Sequence, residues 1–424
     1  MRIVSTVALA IALSSVVTAA PAFAAKKEEK KQEKSAVTPA VQKAAVDAQK
    51  AVDANDLPTA LTNYAAAKAA IANDDDKFMV GRVGYQIYQK NKDDALFSEV
   101  VDLMLVSGKA SVEAQRQLYL AQGQIAYNKK DYAKAITAFR AAQAAGSTDV
   151  EVAPSLVEAM AATGQTLQAL TILNEAIAKL SAAGQPVPND WFQRGLTIGY
   201  RSKSAPADIP AVNAATLELS KRWVASDPQK RNWVAALQIY AEQFKLDNES
   251  RVDVLRLMRA ADALSGDADY REYAEYVYLR FPNEAMSVLQ EGNAKGIVNL
   301  SGKNDAADVM NIVKGKVAAD KASLPNADKA ARAAANGRSA LSTADAYVGY
   351  GQYPQAIELY KVALAKGGVD PNLVNLHLGW ATALSGDTAG AKTAFAAVTG
   401  PKKAVADFWM IHLDHPTIPN KPAA

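Results

Sequence analysis

Three histidines, His377, His412 and His415, are all the imidazole the chain has, and there is no cysteine. Those two facts bound its chemistry. Without sulfur there is no disulfide scaffold, zinc-thiolate or iron-sulfur site, and no thiol nucleophile. With three histidines a Ser-His-Asp triad or a proton shuttle has few bases to draw on. No G-x-S-x-G elbow occurs, so a nucleophilic serine has no recognisable seat. Gly315-Lys316 is followed by Val317 and lacks a glycine five residues earlier, so it is not a phosphate loop. Gly349-Tyr350-Gly351 lacks the third glycine and the preceding strand that dinucleotide binding needs, and reads as a turn between helices.

Two clusters could hold a cation. His412 and His415 are three residues apart, which puts them on one helix face, and Asp414 adds a carboxylate. The plainer reading is that Trp409 to Leu413 ends a capping helix stopped by Pro416, with two solvent-exposed imidazoles, because a zinc site needs three or four uncrowded protein ligands. The run Asp74-Asp75-Asp76 has no glycine-bearing calcium loop around it and reads as a solvated turn at a helix N-terminus. No catalytic residue, metal or cofactor is therefore expected, and the chain is expected not to be an enzyme.

What remains is the scaffold. Among 424 residues, half are hydrophobic but only 7% are aromatic, and 47 basic side chains stand against 44 acidic ones, for a formal charge of +3. Such an even balance gives no basic stripe for nucleic acid. Much of the hydrophobic half is alanine, a strong helix former that buries little area, which suits closely packed helices.

The opening segment is set apart from the fold. Arg2 precedes an apolar run from Ile3 to Val17, Pro21 breaks it, and Ala22-Phe23-Ala24 presents a small-x-small cleavage site. Residues 1–24 are expected to be a signal peptide, leaving Ala25 as the mature N-terminus, and the competing reading is an uncleaved anchor. No later uncharged run is long or apolar enough to span a bilayer, so no membrane span is expected after cleavage. The mature protein is then periplasmic or secreted. Lys26 to Lys34 is nearly all Lys, Glu and Gln, and 25–35 is expected to be a flexible leader.

From Ala36 onward alanine and leucine recur at three- and four-residue spacing between short Gly, Asn, Asp and Pro breaks. A longer period lies on top. Tyr119, Gly123, Tyr132, Ala135, Phe139 and Ala142 form a large-small pair, a turn at Lys130-Asp131, and a small-large-small series. The series returns at Gly164, Ala169, Leu173 and Ala176, and again at Tyr347, Gly351, Tyr353, Ala356, Tyr360 and Ala363. A further copy runs through Leu378, Gly379, Gly386, Ala391 and Phe395, and weaker ones open the array at Ala60, Tyr64 and Ala67 and at Ala95. Ala135 and Ala169 stand 34 apart, Ala356 and Ala391 35 apart. This phased pattern resembles the tetratricopeptide repeat. Its bland competitor is an ordinary alanine-rich helical bundle. The resemblance implies an all-α fold, an α-solenoid with right-handed superhelical stacking of antiparallel helix pairs.

The expected organisation follows. Residues 36–186 form an N-terminal repeat array and 187–300 a divergent helical region. In the latter, Trp191 and Gly195 restart the pattern, Ser202 to Pro210 interrupts it, and a pair turns at Pro282-Asn283. Segments Asn232 to Tyr240 and Arg251 to Ala261 are similar to a group of exported repeat proteins of Gram-negative bacteria, a likeness that brings no chemistry. Residues 301–339 read as an irregular helical connector broken at Leu324-Pro325 and Asn336-Gly337, 340–411 as a C-terminal array with its capping helix, and 412–424 as a tail.

The resemblance implies that the first helix of each pair lines an inner groove that takes a peptide or partner helix. Carried onto this chain, the wall comprises Gln117, Leu120, Gln124, Tyr127 and Asn128, then Phe192 and Tyr200, then Arg338, Leu341 and Asp345, and finally Leu376 and Trp380. For Leu120, Leu376 and Trp380 a core role is an equal alternative. These residue types do not make the Lys/Asn/Arg clamp with which some relatives grip a terminal carboxylate. The expected function is an exported scaffold that binds another protein or peptide, within a cell-envelope assembly. A binder of glycan or cell-wall material is the alternative, since tyrosine and tryptophan also stack on sugars.

Overall fold

The computed structural model describes residues 36–420, and the signal peptide and leader expected at 1–35 lie outside the described residues. Every regular element among the described residues is a helix, apart from one isolated parallel bridge between Gln229 and Ile418. The chain divides into two compact units, the first reaching Lys179 with a short piece at Ser202–Ser204, the second comprising the rest.

The first unit holds α1 (Pro39–Asp53), α2 (Leu57–Ala69), α3 (Asp74–Asn91), α4 (Asp94–Val106), α5 (Val112–Asn128), α6 (Tyr132–Ala144), α7 (Val152–Ala162) and most of α8 (Thr166–Ala182). Short polar caps start these helices. Asp56, Asn73, Asp93, Ser111 and Asp131 each accept a backbone N–H in the first turn, satisfying a donor the helix itself leaves open. At the α5–α6 turn Lys130 takes a left-handed φ of 62° immediately before the Asp131 cap, so the chain reverses in three residues.

The repeat register is explained by packing. Ala135, Phe139 and Ala142 are buried on α6, as are Ala60, Tyr64 and Ala67 on α2 and Ala169 and Leu173 on α8. Gly123 on α5 faces the Phe139 ring so closely that a β-carbon there would overlap it. One copy departs from expectation. Ala95 is exposed in the first turn of α4, and Leu96, Val100 and Met104 make the contact instead. The Asp93 cap sets where the helix begins, and that rotates Ala95 to the outside. Tyr119 is likewise only half-buried, and its neighbour Leu118 fills the core.

The acidic run is also not wholly solvated. Asp74 and Asp75 pair with Lys77 and Lys109 at the surface, but Asp76 is fully buried. Its carboxylate accepts the Thr38 N–H at 2.7 Å and the Ala72 N–H at 3.0 Å, which ties the start of α1 to the start of α3. Burial pushes its pKa up, but these donors outweigh that and hold it below the ordinary range.

The second unit holds α9 (Asn189–Tyr200), α10 (Ile209–Ser226), α11 (Lys230–Gln243), α12 (Asn248–Ala260), α13 (Asp267–Val277), α14 (Pro282–Ala294), α15 (Asp305–Ala333), α16 (Arg338–Gly349), α17 (Tyr353–Lys366), α18 (Pro371–Leu384), α19 (Thr388–Ala396) and, after a short 3-10 turn, α20 (Lys403–Asp414). The small-large-small positions Ala356, Tyr360 and Ala363 and the pair Ala391 and Phe395 are buried here too. Gly379 faces Phe395 as Gly123 faces Phe139, with the same separation along the chain.

Three expectations change in this unit. The break at Leu324-Pro325 is absent: α15 runs through Pro325 as one 29-residue helix, held by buried Leu324 and Ala331 on either side of the proline. Pro282 does not sit in a turn but is the first residue of α14, where its missing N–H costs nothing. The expected tail at 412–424 begins later, since α20 runs to Asp414, and as far as Asn420 it is held against the chain. Lys230 N–H donates to Ile418 O at 3.1 Å, Ile418 N–H to Pro228 O at 2.9 Å, and Arg231 N–H to the Asn420 side chain at 2.8 Å. The C-terminal helix thus returns to α10, α11 and α12, with Phe408 and His412 against Trp233 and Lys221 3.2 Å from Asp407.

Candidate partner-binding surfaces

In the first unit the expected wall residues follow one stripe of α5, because residues three or four apart share a helix face. Asn128 is exposed, Gln117, Gln124 and Tyr127 are half-buried, and Leu120 is packed in the interior at 3% exposure. Tyr127 is edge-on to Tyr132 with centroids 5.4 Å apart, so its ring also braces the α5–α6 turn. Gln117 and Leu120 line a depression of about 180 Å³, bounded across from them by Ser147 and Asp149. Gln124, Tyr127 and Asn128 meet Phe139 and Ser155 around a notch of about 10 Å³, the size of one water.

The polar atoms along this wall share a feature that their positions in the sequence do not reveal. Gln86 Oε1 on α3, Gln117 Oε1 and Gln124 Nε2 on α5, and Ser155 Oγ on α7 are all shielded from solvent without a hydrogen-bond partner. Buried polar groups are normally paired, and leaving one unmade costs on the order of 1–3 kcal/mol. Gln86 and Ser155 were not among the residues expected from sequence. Their residue types sit on otherwise ordinary helix faces and carry no signal of their own.

The second unit buries a cluster of charges. Asp253 and Arg256 on α12, Glu284 on α14, Asp345 on α16 and His377 on α18 are each at most 4% exposed. Arg256 grips Glu284 with two parallel bonds, Nε to Oε1 at 2.9 Å and Nη2 to Oε2 at 3.0 Å, and the Tyr273 hydroxyl donates to Glu284 at 2.7 Å. His377 Nδ1 lies 2.7 Å from Asp345 Oδ1, and its Nε2 lies 2.9 Å from Asp253 Oδ1. The Tyr360 hydroxyl donates to Asp345 at 2.6 Å, and Lys402 Nζ lies 3.5 Å from Asp253 Oδ2.

A carboxylate at each ring nitrogen favours the doubly protonated His377, against the Arg256 Nη1 that also lies 3.3 Å from Nε2. Burial alone would push its pKa down, but Asp345 and Asp253 outweigh that and bring it to about 9. In turn, although burial raises Asp253 and Asp345, the His377 charge holds both below the ordinary carboxylate range. Three buried carboxylates thus face the cations His377, Arg256 and Lys402, the last shared with Glu249 at 3.5 Å. The Arg256 guanidinium also lies 4.1 Å from the centre of the Trp380 ring.

This cluster occupies the place where an open wall was expected. Asp345 is a buried ion-pair partner, Trp380 packs under Arg256, and Leu376 at 2% exposure is core, so none of the three presents an open surface. Phe192 at 1% is core as well. Tyr200 is exposed and donates to Glu242 at 2.6 Å, Arg338 is exposed with its Nε 3.3 Å from Gly368 O, and half-buried Leu341 lines a cavity of about 270 Å³ beside His377. A second cavity, about 390 Å³, lies beside Arg256 and Glu284. The cluster's other members were missed. The available signal was charge inside apolar helix, Asp253 and Arg256 among Val254, Leu255 and Leu257, and His377 between Leu376 and Leu378.

The C-terminal imidazoles do not converge on a cation. His412 is half-buried edge-on to Trp233 and Trp409, where burial lowers its pKa, while His415 is exposed and Asp414 pairs with Lys392. Among the described residues no group of His, Asp and Glu is arranged to hold a metal, and no helix is long and apolar enough to cross a membrane.

Fold and packing define an all-α helical-repeat protein built of tetratricopeptide-like helix pairs. No protein family's sequence profile matches the chain, and no curated protein matches it. Among solved structures it is similar to Naa15/Naa10 bound to HypK-THB, at 15% identity over 83% of this chain and 57% of that one, with a TM-score of 0.30. It is also similar to the pentatricopeptide repeat protein PPR10 from maize, at 12% identity over 87% and 61% of the two chains and a TM-score of 0.25. A third is the APC/C hetero-tetramer Cut9-Hcn1, at 12% identity over 88% and 83% with a TM-score of 0.19. The chain spans less than two thirds of the first two.

Proposed function

We propose that the protein is an exported scaffold that holds a protein partner on the first-helix wall of its N-terminal unit. The observation that supports this is the set of shielded polar atoms on first helices of the N-terminal pairs, Gln86 Oε1 on α3, Gln117 Oε1 and Gln124 Nε2 on α5 and Ser155 Oγ on α7, which have no hydrogen-bond partner within the protein. Leader cleavage after Ala24 would deliver the chain to the periplasm or outside the cell, where the partner belongs to an envelope assembly. A sugar-stacking role finds less support, because all five tryptophans are at most 7% exposed.

The test has two arms. Mass spectrometry of the envelope fraction should find a mature chain beginning at Ala25, and an intact Met1 would end the export reading. Immobilised wild-type protein should retain a partner from an envelope extract that Gln124→Ala/Asn128→Ala protein, shown folded by circular dichroism, loses. Equal retention by both would move the site off this wall.

A further inference from the structure

The cavity of about 390 Å³ in the second unit has side-chain carboxylates that are taken and donors that are left over. Glu284 accepts twice from Arg256 and once from the Tyr273 hydroxyl, and Glu291 accepts from Arg259 Nε at 2.7 Å and from Lys295 Nζ at 2.9 Å. Trp380 is only 7% exposed, yet its indole N–H meets no acceptor among the described residues and is not sealed from solvent. Ser287 Oγ accepts from Arg259 Nη2 at 2.7 Å, but its own proton reaches no described acceptor, and neither does that of Tyr353. Arg259 supplies the charge. Its Nε and Nη2 are engaged along one edge of the guanidinium, whereas Nη1 has no partner among the described residues, so the edge between Nη1 and Nη2 stays open. Two parallel N–H groups on such an edge match the two oxygens of a carboxylate.

We infer that this cavity binds a small organic carboxylate, its oxygens on the open edge of Arg259 and its apolar body against Val348, Leu384 and the Trp380 ring. Leu384, 40% exposed, stands at the mouth, so the cavity can be reached from solvent. An apolar cavity of about 150 Å³ is enough for benzene, so this one has room for a phenyl ring with a short acid chain. An ammonium would meet donors and find no unpaired carboxylate. A neutral amide could offer its carbonyl to the same donors, but its NH₂ would then face N–H groups and leave half of the Arg259 edge unused. The inference concerns a different unit from the partner wall proposed above, and neither depends on the other.

The test titrates the isotope-labelled full chain with phenylpropionate and hexanoate, beside the matching amides and amines. The indole N–H resonance of Trp380, assigned by its absence from Trp380→Phe protein, should shift when the acids are added. Calorimetry should find the acids bound about tenfold or more tighter than the amides, the worth of one charge-assisted hydrogen bond, and the amines not bound. Arg259→Lys keeps a positive charge beside Glu291 and removes the fork. It should weaken the acids by about tenfold while melting near the wild-type temperature. Trp380→Phe keeps an aromatic ring under Arg256 and removes the N–H, and it should weaken the acids about threefold or more.

Amides that bind as tightly as the acids would overturn the inference, as would an Arg259→Lys variant with unchanged affinity. So would a Trp380 resonance that stays in place at roughly 10 mM acid, or one that chloride shifts as far as the acids do. Should Arg259→Lys protein unfold early, Trp380→Phe decides: weakened acid binding supports the site, and unchanged binding overturns it.

Discussion

His377 Nε2 lies 2.9 Å from Asp253 Oδ1, across 124 positions of sequence. The same imidazole holds Asp345 at 2.7 Å with its other nitrogen, so one side chain joins α12, α16 and α18. Removing it strands two buried carboxylates. His377→Ala should destabilise the C-terminal unit by about 3–5 kcal/mol, the usual cost of breaking a buried ion pair from one side. All five tryptophans lie in that unit, so tryptophan fluorescence during urea unfolding reads it selectively. A midpoint unchanged from wild type would show that the cluster stabilises nothing.

The same pairing predicts a pH dependence. His377 is raised from 6.5 to about 9 on folding, so its contribution is complete below 6.5 and is lost as pH rises through 9. A shift of that size corresponds to stability on the order of 3 kcal/mol. Asp253 and Asp345 are lowered from 3.8, so theirs is complete above that value and is lost as pH falls below it. The fluorescence-monitored midpoint should peak between about pH 4 and 6.5 and decline toward 9. In His377→Gln protein the alkaline decline should be shallower, and an identical decline would assign it to other groups.

Helix crossings in the repeats make a third prediction. Gly123→Ala would drive a methyl into the Phe139 ring, and Ala135→Leu would overfill the same crossing, each at about 1–3 kcal/mol. Phe139→Ala would empty it, at about 3–5 kcal/mol. Thermal unfolding by circular dichroism measures all three. An unchanged melting temperature in Ala135→Leu would mean that α5 and α6 do not cross there.

Asp76 offers a local test. Asp76→Ala leaves the Thr38 and Ala72 N–H groups without acceptors, costing about 1–3 kcal/mol, and frees the start of α1. Hydrogen exchange at the amides of Thr38 and Ala72 should quicken while that of α6 stays protected. Unchanged exchange at Thr38 would show that the carboxylate is not what pins it.

How much of this was legible in the chain depends on distance along it. Helical class, repeat period, the turns at Lys130-Asp131 and Gly351, and the small-large-small positions could be read directly, because capping, turn conformation and which residues share a helix face involve neighbours within a few positions. Even the errors at this level, Ala95 and Pro325, are local ones, a cap that shifts the helix start and a proline that surrounding packing keeps inside a helix. Which faces meet other faces was decided only by the tertiary structure. Leu376 and Trp380 look the same in sequence whether they line an open wall or sit beneath Arg256. Asp253, Arg256, Glu284, Asp345 and His377 become a paired cluster only when α12, α14, α16 and α18 bring each charge within 4 Å of an opposite one, and the residues after α20 gain partners only because the chain returns to Pro228. Pairings across a hundred residues leave no periodic trace in the sequence, since burial of a charge depends on a partner whose position only the packed helices determine.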